Sequence, residues 1–577
     1  MRDAVLVENV TAHLAKLYPD HDTPALTDQC LEAMEINESF SSSESNEELW
    51  SSDDIVLITY ADSVTSGSRA PLQTLKQFVD RHLKEIFSVI HILPFFPYSS
   101  DDGFSVIDYS SVNQSHGDWS QLEAIGEHFK IMGDLVLNHC STRSLWFENF
   151  KTGRDPGKDF FITVQPDTAI DQVVRPRTTD LLRPTRTDHG DVLVWCTFSH
   201  DQADLNFKNP AVLLEFLKII RRYLGKGISW FRLDAVGFIW KEPGTSCINL
   251  PETHTIIKLI RLLIENNAKK SVIVTETNIP NIENLSYFGD QDEAHLIYNF
   301  SLPPLLLNTL ITGDHAQLER WIMTMPPART GTAYFNFLAS HDGIGLRPVE
   351  GLLSATELKK LTDTMAGFGG RLSYRATQAN DEQPYEINIS LWDALAGTVE
   401  EGRDDYQFDR FICAHAMLLA LEGIPAIYIH SLLATENDLS RVENTGNLRS
   451  INRYIWGQEE LDRNLANGDS RHSRVFTQLL ALIRVRKKQK AFHPNATMLT
   501  LNYGPGLFGF WRQSLDREQN IFAIFNVTKE PRILHVDNLD LTLDHTWLDL
   551  VVGDSVTDRS GPLELEPYRF LWIGNNS

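Results

Sequence analysis

Eight short apolar runs, each followed by a polar or amphipathic stretch, govern what this chain can become. They are DIVLITY, SVIHILPF, KIMGDLVLN, GISWFRLD, SVIVTET, AHLIYNF, TAYFNFLAS and IPAIYIH, spread between residues 54 and 430. Helix-period segments lie between them, among them LQTLKQFVDRHLKEIF, WSQLEAIGEHF and HTIIKLIRLLIENN. Strand–helix–strand alternation pairs strands in parallel through right-handed crossovers. Eight such units are what a closed barrel requires, so the expected class is α/β, a (β/α)8 TIM barrel. An open doubly wound sheet is the alternative, and it rarely needs so many alternations.

Two interruptions read as inserted loop domains. Residues 141–207 follow the third run and residues 343–405 follow the seventh; both are long and polar, the first rich in Arg, Pro and Asp. Insertions after barrel strands sit on the C-terminal face, where such folds keep their active sites. The barrel is expected over 54–490. From residue 491 to 577 the pattern changes to LFGFWRQS, NIFAIFNVT, RILHV and YRFLWIG, which predicts a C-terminal antiparallel β domain. Residues 1–53 read as an appended helical extension. It ends in SFSSSESNEELWSSDD, a Ser/Glu-rich linker or helix cap.

Charge narrows the partners. Lys and Arg total 52 against 77 Asp and Glu, a formal charge of −25. That argues against nucleic acid or an anionic membrane as a partner. A small anionic substrate is compatible with it, because local arginines can dominate a pocket. No run approaches 18 uncharged apolar residues, so no membrane span is expected. The start, MRDAVLVENVTAHLAKLYPD, reads as an amphipathic helix and not as a signal peptide. Cys30, Cys140, Cys196, Cys247 and Cys413 are scattered, odd in number and without metal spacing. Reduced thiols in the cytoplasm fit that usage, with no metal site.

In a barrel, polar residues at the C-terminal ends of strands are the catalytic candidates. The second run leads to Asp101, Asp102 and Phe104, the third to Asn138 and His139. The fourth ends in Arg232 and Asp234, the fifth in Glu276, the seventh in His341 and Asp342. An Asp after a strand usually caps a helix or forms a turn. Together on one rim, these residues point to chemistry. A pair of carboxylates suits retaining glycosyl transfer, which places the two roughly 5–5.5 Å apart. Neighbouring strands lie about 4.8 Å apart, so Asp234 and Glu276 can supply that gap. Arg232 shares a face with Asp234 and is expected to hold it ionised. Burial near other carboxylates is expected to raise Glu276.

The stretches HILPFFPYSSDDGFSVIDY, LVLNH, WFRLDAVGFIWKEPGTSC, VTET and FLASHDGIG resemble glycoside hydrolase family 13, the α-amylase superfamily, and within it the sucrose phosphorylase subfamily. The resemblance runs from about residue 54 to the C-terminus. It implies Asp234 as nucleophile, Glu276 as acid/base and Asp342 as transition-state stabiliser. It implies that Arg232 supports the nucleophile and that Asp101, Phe104, His139, His341 and Arg449 hold the glucosyl ring. Phe198 and Gln202 are implied at the border of the same pocket. The implied reaction is reversible phosphorolysis with retention, giving α-D-glucose 1-phosphate. The only partners implied are small molecules: an α-glucoside, phosphate and the sugar phosphate. No cofactor is implied, and the subfamily permits a monomer or a homodimer.

The subfamily acts on sucrose, sucrose 6'-phosphate, glucosylglycerol and glucosylglycerate, and the shared motifs cannot separate these. Arg143, Arg347 and the run RPRTTDLLRPTRTDHG place cations on the rim of an acidic chain, which points to an anionic acceptor or to phosphate. Phe238 stands where sucrose phosphorylases typically carry Tyr. VTETNIP, YFGDQDEAHLIYNFSLPPLLL and GTAYFNFLASHDGIGLRPVEGLL look most similar to enzymes acting on glucosylglycerate, then to those acting on sucrose 6'-phosphate. Sucrose and glucosylglycerol follow. A non-catalytic carbohydrate-binding barrel is the reading from another class, and the intact Asp234, Glu276 and Asp342 speak against it. Cys140 reads as a buried structural thiol.

Overall fold

The fold is given by a computed structural model that describes residues 3–36, 48–376, 382–539, 541, 546–556 and 562–575. Eight parallel strands close a barrel: β1 (Val56–Thr59), β2 (Val89–Ile92), β3 (Lys130–Val136), β4 (Ile228–Asp234), β5 (Val272–Thr275), β6 (Leu296–Tyr298), β7 (Ala333–Phe337) and β8 (Ile424–Tyr428). Each strand pairs with its neighbours in sequence order, and β8 closes on β1 with Val56 opposite Ala426. Closure rules out the open sheet.

The apolar runs become strands because they are covered on both faces. Every residue of β1, β2, β5 and β8 is buried, one face toward the barrel interior and one toward the helix layer. The helices outside show the matching stripe. Pro71–His82 buries Leu72, Leu75, Phe78 and Val79. Pro210–Gly225 is capped by the Asn209 side chain and begins with a proline, where no helical N–H is lost.

The barrel interior is not wholly apolar. His91 on β2, Asp134 on β3 and Arg232 on β4 form a buried polar layer. Asp134 Oδ2 lies 2.8 Å from His91 Nε2, and its Oδ1 accepts from Arg232 Nη1 at 2.5 Å. Register places Arg232 directly beside Asp134 and Asp234 beside Val136. Such charges persist in a core only when paired.

Two N-terminal helices, Ala4–Leu17 and Thr23–Ala33, bury Leu6, Val10, Leu14, Leu26 and Leu31. They pack on Pro251–Asn267 and Pro210–Gly225, the helices on either side of β4. The Tyr18 hydroxyl donates to the Phe207 carbonyl at 2.9 Å. This segment is a brace on the barrel and not a loose appendage. Most of the Ser/Glu-rich stretch expected as a linker falls on 37–47, outside the described residues.

Between β3 and β4, His139–Ser141 pairs with Gln202–Asp204, and Thr163–Val164, Gly190–Trp195 and Leu182–Thr187 form a small antiparallel sheet. Between β7 and β8, Ile344–Gly345, Glu382–Asn388 and Arg371–Ala376 form another. A five-stranded antiparallel sheet follows the barrel, in the order Thr497–Asn502, Leu507–Gln513, Asn520–Asn526, Phe570–Asn575 and Trp547–Asp549. Arg512 ties it to the barrel through the Ala420 and His493 carbonyls, at 2.6 and 2.8 Å. No helix among the described residues is long and apolar enough to cross a membrane.

Candidate active site

The strand ends open into one pocket of about 760 Å³. Asp234 is the last residue of β4 and keeps its ladder position. The chain then turns through Ala235, whose φ of 53° is left-handed, and the Ala235 N–H donates to Glu276 Oε2 at 3.2 Å. Glu276 follows β5 directly. Arg232 reaches both acids, 2.7 Å from Asp234 Oδ1 and 3.9 Å from Glu276 Oε1. Its guanidinium also lies 5.5 Å from the centres of the Phe104 and Tyr298 rings.

The turn after β2 is shaped by three consecutive residues with positive φ: Asp101 at 54°, Asp102 at 46° and Gly103 at 117°. A side chain at 103 would meet the Pro94 carbonyl oxygen at 2.6 Å, so only glycine fits. Non-glycine residues in this region are uncommon and strained, and such strain gathers at working sites. Its effect is that Asp101 faces the pocket while Asp102 faces away and pairs with Arg453.

The remaining walls are layered. Phe104 stacks on His341 with ring centres 4.8 Å apart and planes 4° apart. His139 donates from Nε2 to the Phe104 carbonyl at 3.0 Å and accepts at Nδ1 from Asn138. Gln202 donates to Asp101 Oδ2 at 3.3 Å. Phe198 lies against His139 and Phe238, with ring centres 5.1 and 5.5 Å away. Opposite, Arg449 binds Asp342 and is itself held by Glu386, its Nη2 2.9 Å from Oε1. The Gly343 N–H donates to Glu386 at 3.0 Å; a Cβ at Gly343 would lie 2.5 Å from Glu386 Cγ.

The acids are pushed in different directions. Burial raises Asp342, but Arg449, with Arg232 and Arg453, pulls harder, and it sits well below the usual carboxylate range. Burial also raises Asp134, and Arg232 with His91 overcomes it. Asp234 is raised by burial and by Glu276, Asp134 and Asp342; Arg232 opposes this and does not win. The expectation that Arg232 holds Asp234 low is therefore corrected, because burial outweighs the guanidinium, which Asp134 also engages. Glu276 is raised as expected, first by burial and then by Asp342. Asp234 and Glu276 thus compete for one proton. The guanidinium is closer to Asp234, which favours the proton on Glu276. Burial drives His139 and His341 below their ordinary value, so both are neutral.

The pocket gathers Asp101, Phe104, His139, Phe198, Gln202, Asp234, Glu276, His341, Asp342 and Arg449 in its lining, with Arg232 beneath. Two expected residues are elsewhere. Arg143 is exposed and outside the lining, and Arg347 is half-buried and outside the lining. Besides Arg449, which is tied to Asp342 and Glu386, the cation in the lining is Arg177, 5.8 Å over the Tyr385 ring, from within the arginine-rich run. Sequence reasoning missed Tyr385, Glu386 and Lys241. Lys241 is buried and binds Asp204 at 2.6 Å and Asn138 at 2.5 Å, which fixes the neighbour of His139. A lone lysine at the end of an apolar stretch carries little signal. Asp134 could have been found, since it interrupts an apolar strand just as Arg232 does. Cys140 is buried, its thiol pushed up to about 12 by burial. Among the described residues, no group of three or more His, Cys, Asp or Glu is placed to hold a metal ion.

The α-amylase catalytic-domain family matches residues 74–344. A glucosylglycerate phosphorylase of Escherichia coli K12 is 42% identical over 528 residues, covering 91% of this chain and 92% of that protein. A glucosylglycerate phosphorylase of Spirochaeta thermophila is 41% identical over 530 residues, covering 90% of this chain and 89% of that protein. The solved structure of the sucrose 6F-phosphate phosphorylase of Thermoanaerobacter thermosaccharolyticum is 26% identical and superposes with a TM-score of 0.72 over 84% of this chain and 96% of that one.

Proposed function

The chain belongs to the α-amylase family, glycoside hydrolase family 13, in its sucrose phosphorylase subfamily, and from that premise we propose that it catalyses reversible phosphorolysis of 2-O-(α-D-glucosyl)-D-glycerate. The observation that carries the reading is the pair Asp234 and Glu276, on adjacent strand ends and sharing Arg232 at 2.7 and 3.9 Å. The Asp234 carboxylate attacks the anomeric carbon. The bond to glycerate breaks, and Glu276 gives its proton to the departing oxygen. Phosphate then attacks the glucosyl–Asp234 ester, and Glu276 takes the phosphate proton. Asp234 leaves as a carboxylate and α-D-glucose 1-phosphate forms. Two inversions at one carbon give net retention.

The other residues serve this exchange. Asp342, ionised throughout, accepts from sugar hydroxyls, and Arg449 fixes its place. Asp101, His139, Gln202 and His341 read the remaining hydroxyls, while Phe104 and Phe198 offer apolar faces to the ring. Arg177 supplies the cation that an anionic acceptor and phosphate both need. Arg143 and Arg347, both outside the lining, are left out of the proposed acceptor site. The carboxylates suffice for the chemistry, so the proposal includes no cofactor, and the substrates are small molecules. The five buried free thiols and a phosphorylated product support a cytoplasmic enzyme.

The test is an acceptor panel. The protein is given α-D-glucose 1-phosphate with D-glycerate, fructose 6-phosphate, fructose, glycerol or nothing, and phosphate release is measured. Fast release with glycerate alone supports the reading. Fast release with fructose 6-phosphate alone, or with no acceptor, overturns it.

A further inference from the structure

Behind the glucosyl pocket lies a second polar chamber of about 370 Å³. The two share one wall, built from alternating residues. Asp101 faces the first and Asp102 the second; Arg449 faces the first and Arg453 the second. Tyr60 closes the wall edge-on against His341, with ring centres 5.9 Å apart.

The chamber concentrates unmet hydrogen-bonding capacity. Tyr60 Oη, His116 Nδ1, His430 Nε2 and Arg453 Nη2 all lack hydrogen-bond partners among the described residues, and each of these side chains belongs to a residue at most 8% exposed. The Nε of Arg441, a half-buried residue, is a fifth. Buried polar groups are almost always partnered, so five around one small cavity mark a place where something binds.

Their chemistry says what. The two arginine N–H groups can only donate. Across from them, the nearest ion-pair partner of Asp62 among the described residues is His116, 4.0 Å away, and Asp102 gives one oxygen to Arg453. A bare anion would satisfy the arginines and be repelled by the aspartates. A plain polyol would satisfy the aspartates and leave Arg441 without a counter-charge among the described residues, since Asp102 already pairs with Arg453. A hydroxy acid satisfies both sides.

We propose that this chamber binds a small hydroxy acid, its carboxylate on Arg441 and Arg453 and its hydroxyls on Asp62 and Asp102. Its identification with glycerate rests on the proposed reaction; the site itself does not. Arg453 Nε also donates to the His341 carbonyl at 2.9 Å, so an acid drawn to Arg453 is felt at the residue that stacks on Phe104. The released acid can thereby act back on the site that releases it.

The test is equilibrium dialysis of labelled D-glycerate against the full chain, with Arg441→Ala, Asp62→Asn and Arg177→Ala variants whose melting temperatures match the parent. Two sites are expected in the parent. Arg441→Ala should weaken one at least tenfold, and Arg177→Ala should weaken the other. Asp62→Asn should abolish the preference of the Arg441-dependent site for glycerate over propionate, which has the carboxylate but no hydroxyl. A single site indifferent to both Arg441→Ala and Asp62→Asn overturns the proposal, as does displacement of glycerate from the Arg441-dependent site by phosphate or glycerol as readily as by glycerate itself. If the acceptor reading alone is wrong, only the Arg177-dependent site disappears.

Discussion

Glu386 accepts two hydrogen bonds from Arg449, at 2.9 Å from Nη2 and 3.2 Å from Nε. The remaining arm of Arg449 binds Asp342. Glu386 is therefore a positioning residue: a buried charge that fixes the arginine that fixes the third acid. Glu386→Gln keeps the shape and removes the charge. A charge-assisted hydrogen bond is worth roughly 1.5–3 kcal/mol, so kcat/KM for glucose 1-phosphate should fall about tenfold to a hundredfold. A purely structural role would lower the melting temperature and leave the kinetics of the folded enzyme intact.

Asp234→Asn removes the nucleophile, since an amide cannot form the glucosyl ester. Turnover should fall by about 10⁴-fold or more, while glucose 1-phosphate still binds. Single-turnover trapping of a glucosyl–protein adduct should succeed with the parent and fail with the variant. Retained turnover would refute the assignment.

The pH profile should follow the shared proton. Transfer needs Asp234 ionised and Glu276 protonated, and burial raises both above their ordinary values. Activity should fall on the acid side, as the second proton neutralises Asp234, at a higher pH than an exposed carboxylate titrates. It should fall on the alkaline side as Glu276 loses its proton. Glu276→Gln should abolish the alkaline limb. Asp342, held low by its arginines against burial, should add no limb between them.

Arg177 and Arg143 separate acceptor recognition from mere proximity in the chain. Arg177→Ala should raise KM for glycerate and phosphate about tenfold, and for glycerol much less. Arg143, exposed and outside the lining, should give unchanged constants on replacement by alanine. Initial rates with the three acceptors decide both.

Much of this is legible in the sequence alone. The eight barrel strands are apolar runs with two buried faces, and that burial is written in their composition. Asp234, Glu276 and Asp342 stand out because barrel strands end at the active face. What could not be read depends on contacts across the chain. Glu386 meets Arg449 across 63 residues, from a strand in a polar insertion whose path no periodicity reveals. Arg177 is one arginine among several in its run, and only the folded insertion shows which one turns inward. Arg143 and Arg347 failed for the converse reason, since closeness to a strand end does not fix where a side chain points. The net direction at Asp234 departs from the expectation because burial outweighs Arg232, and only the barrel register shows Asp134 beside that guanidinium.

The N-terminal helices press on the two helices that flank β4, the strand carrying Arg232 and Asp234. The strand end that carries Asp234 is thus buttressed from the outer wall. Heat need not reach the pocket directly; release of Val10, Leu14 and Tyr18 from their seats is enough to free the supports of the nucleophile. Reinforcement at that brace would stiffen the wall behind Asp234 through residues that do not line the pocket.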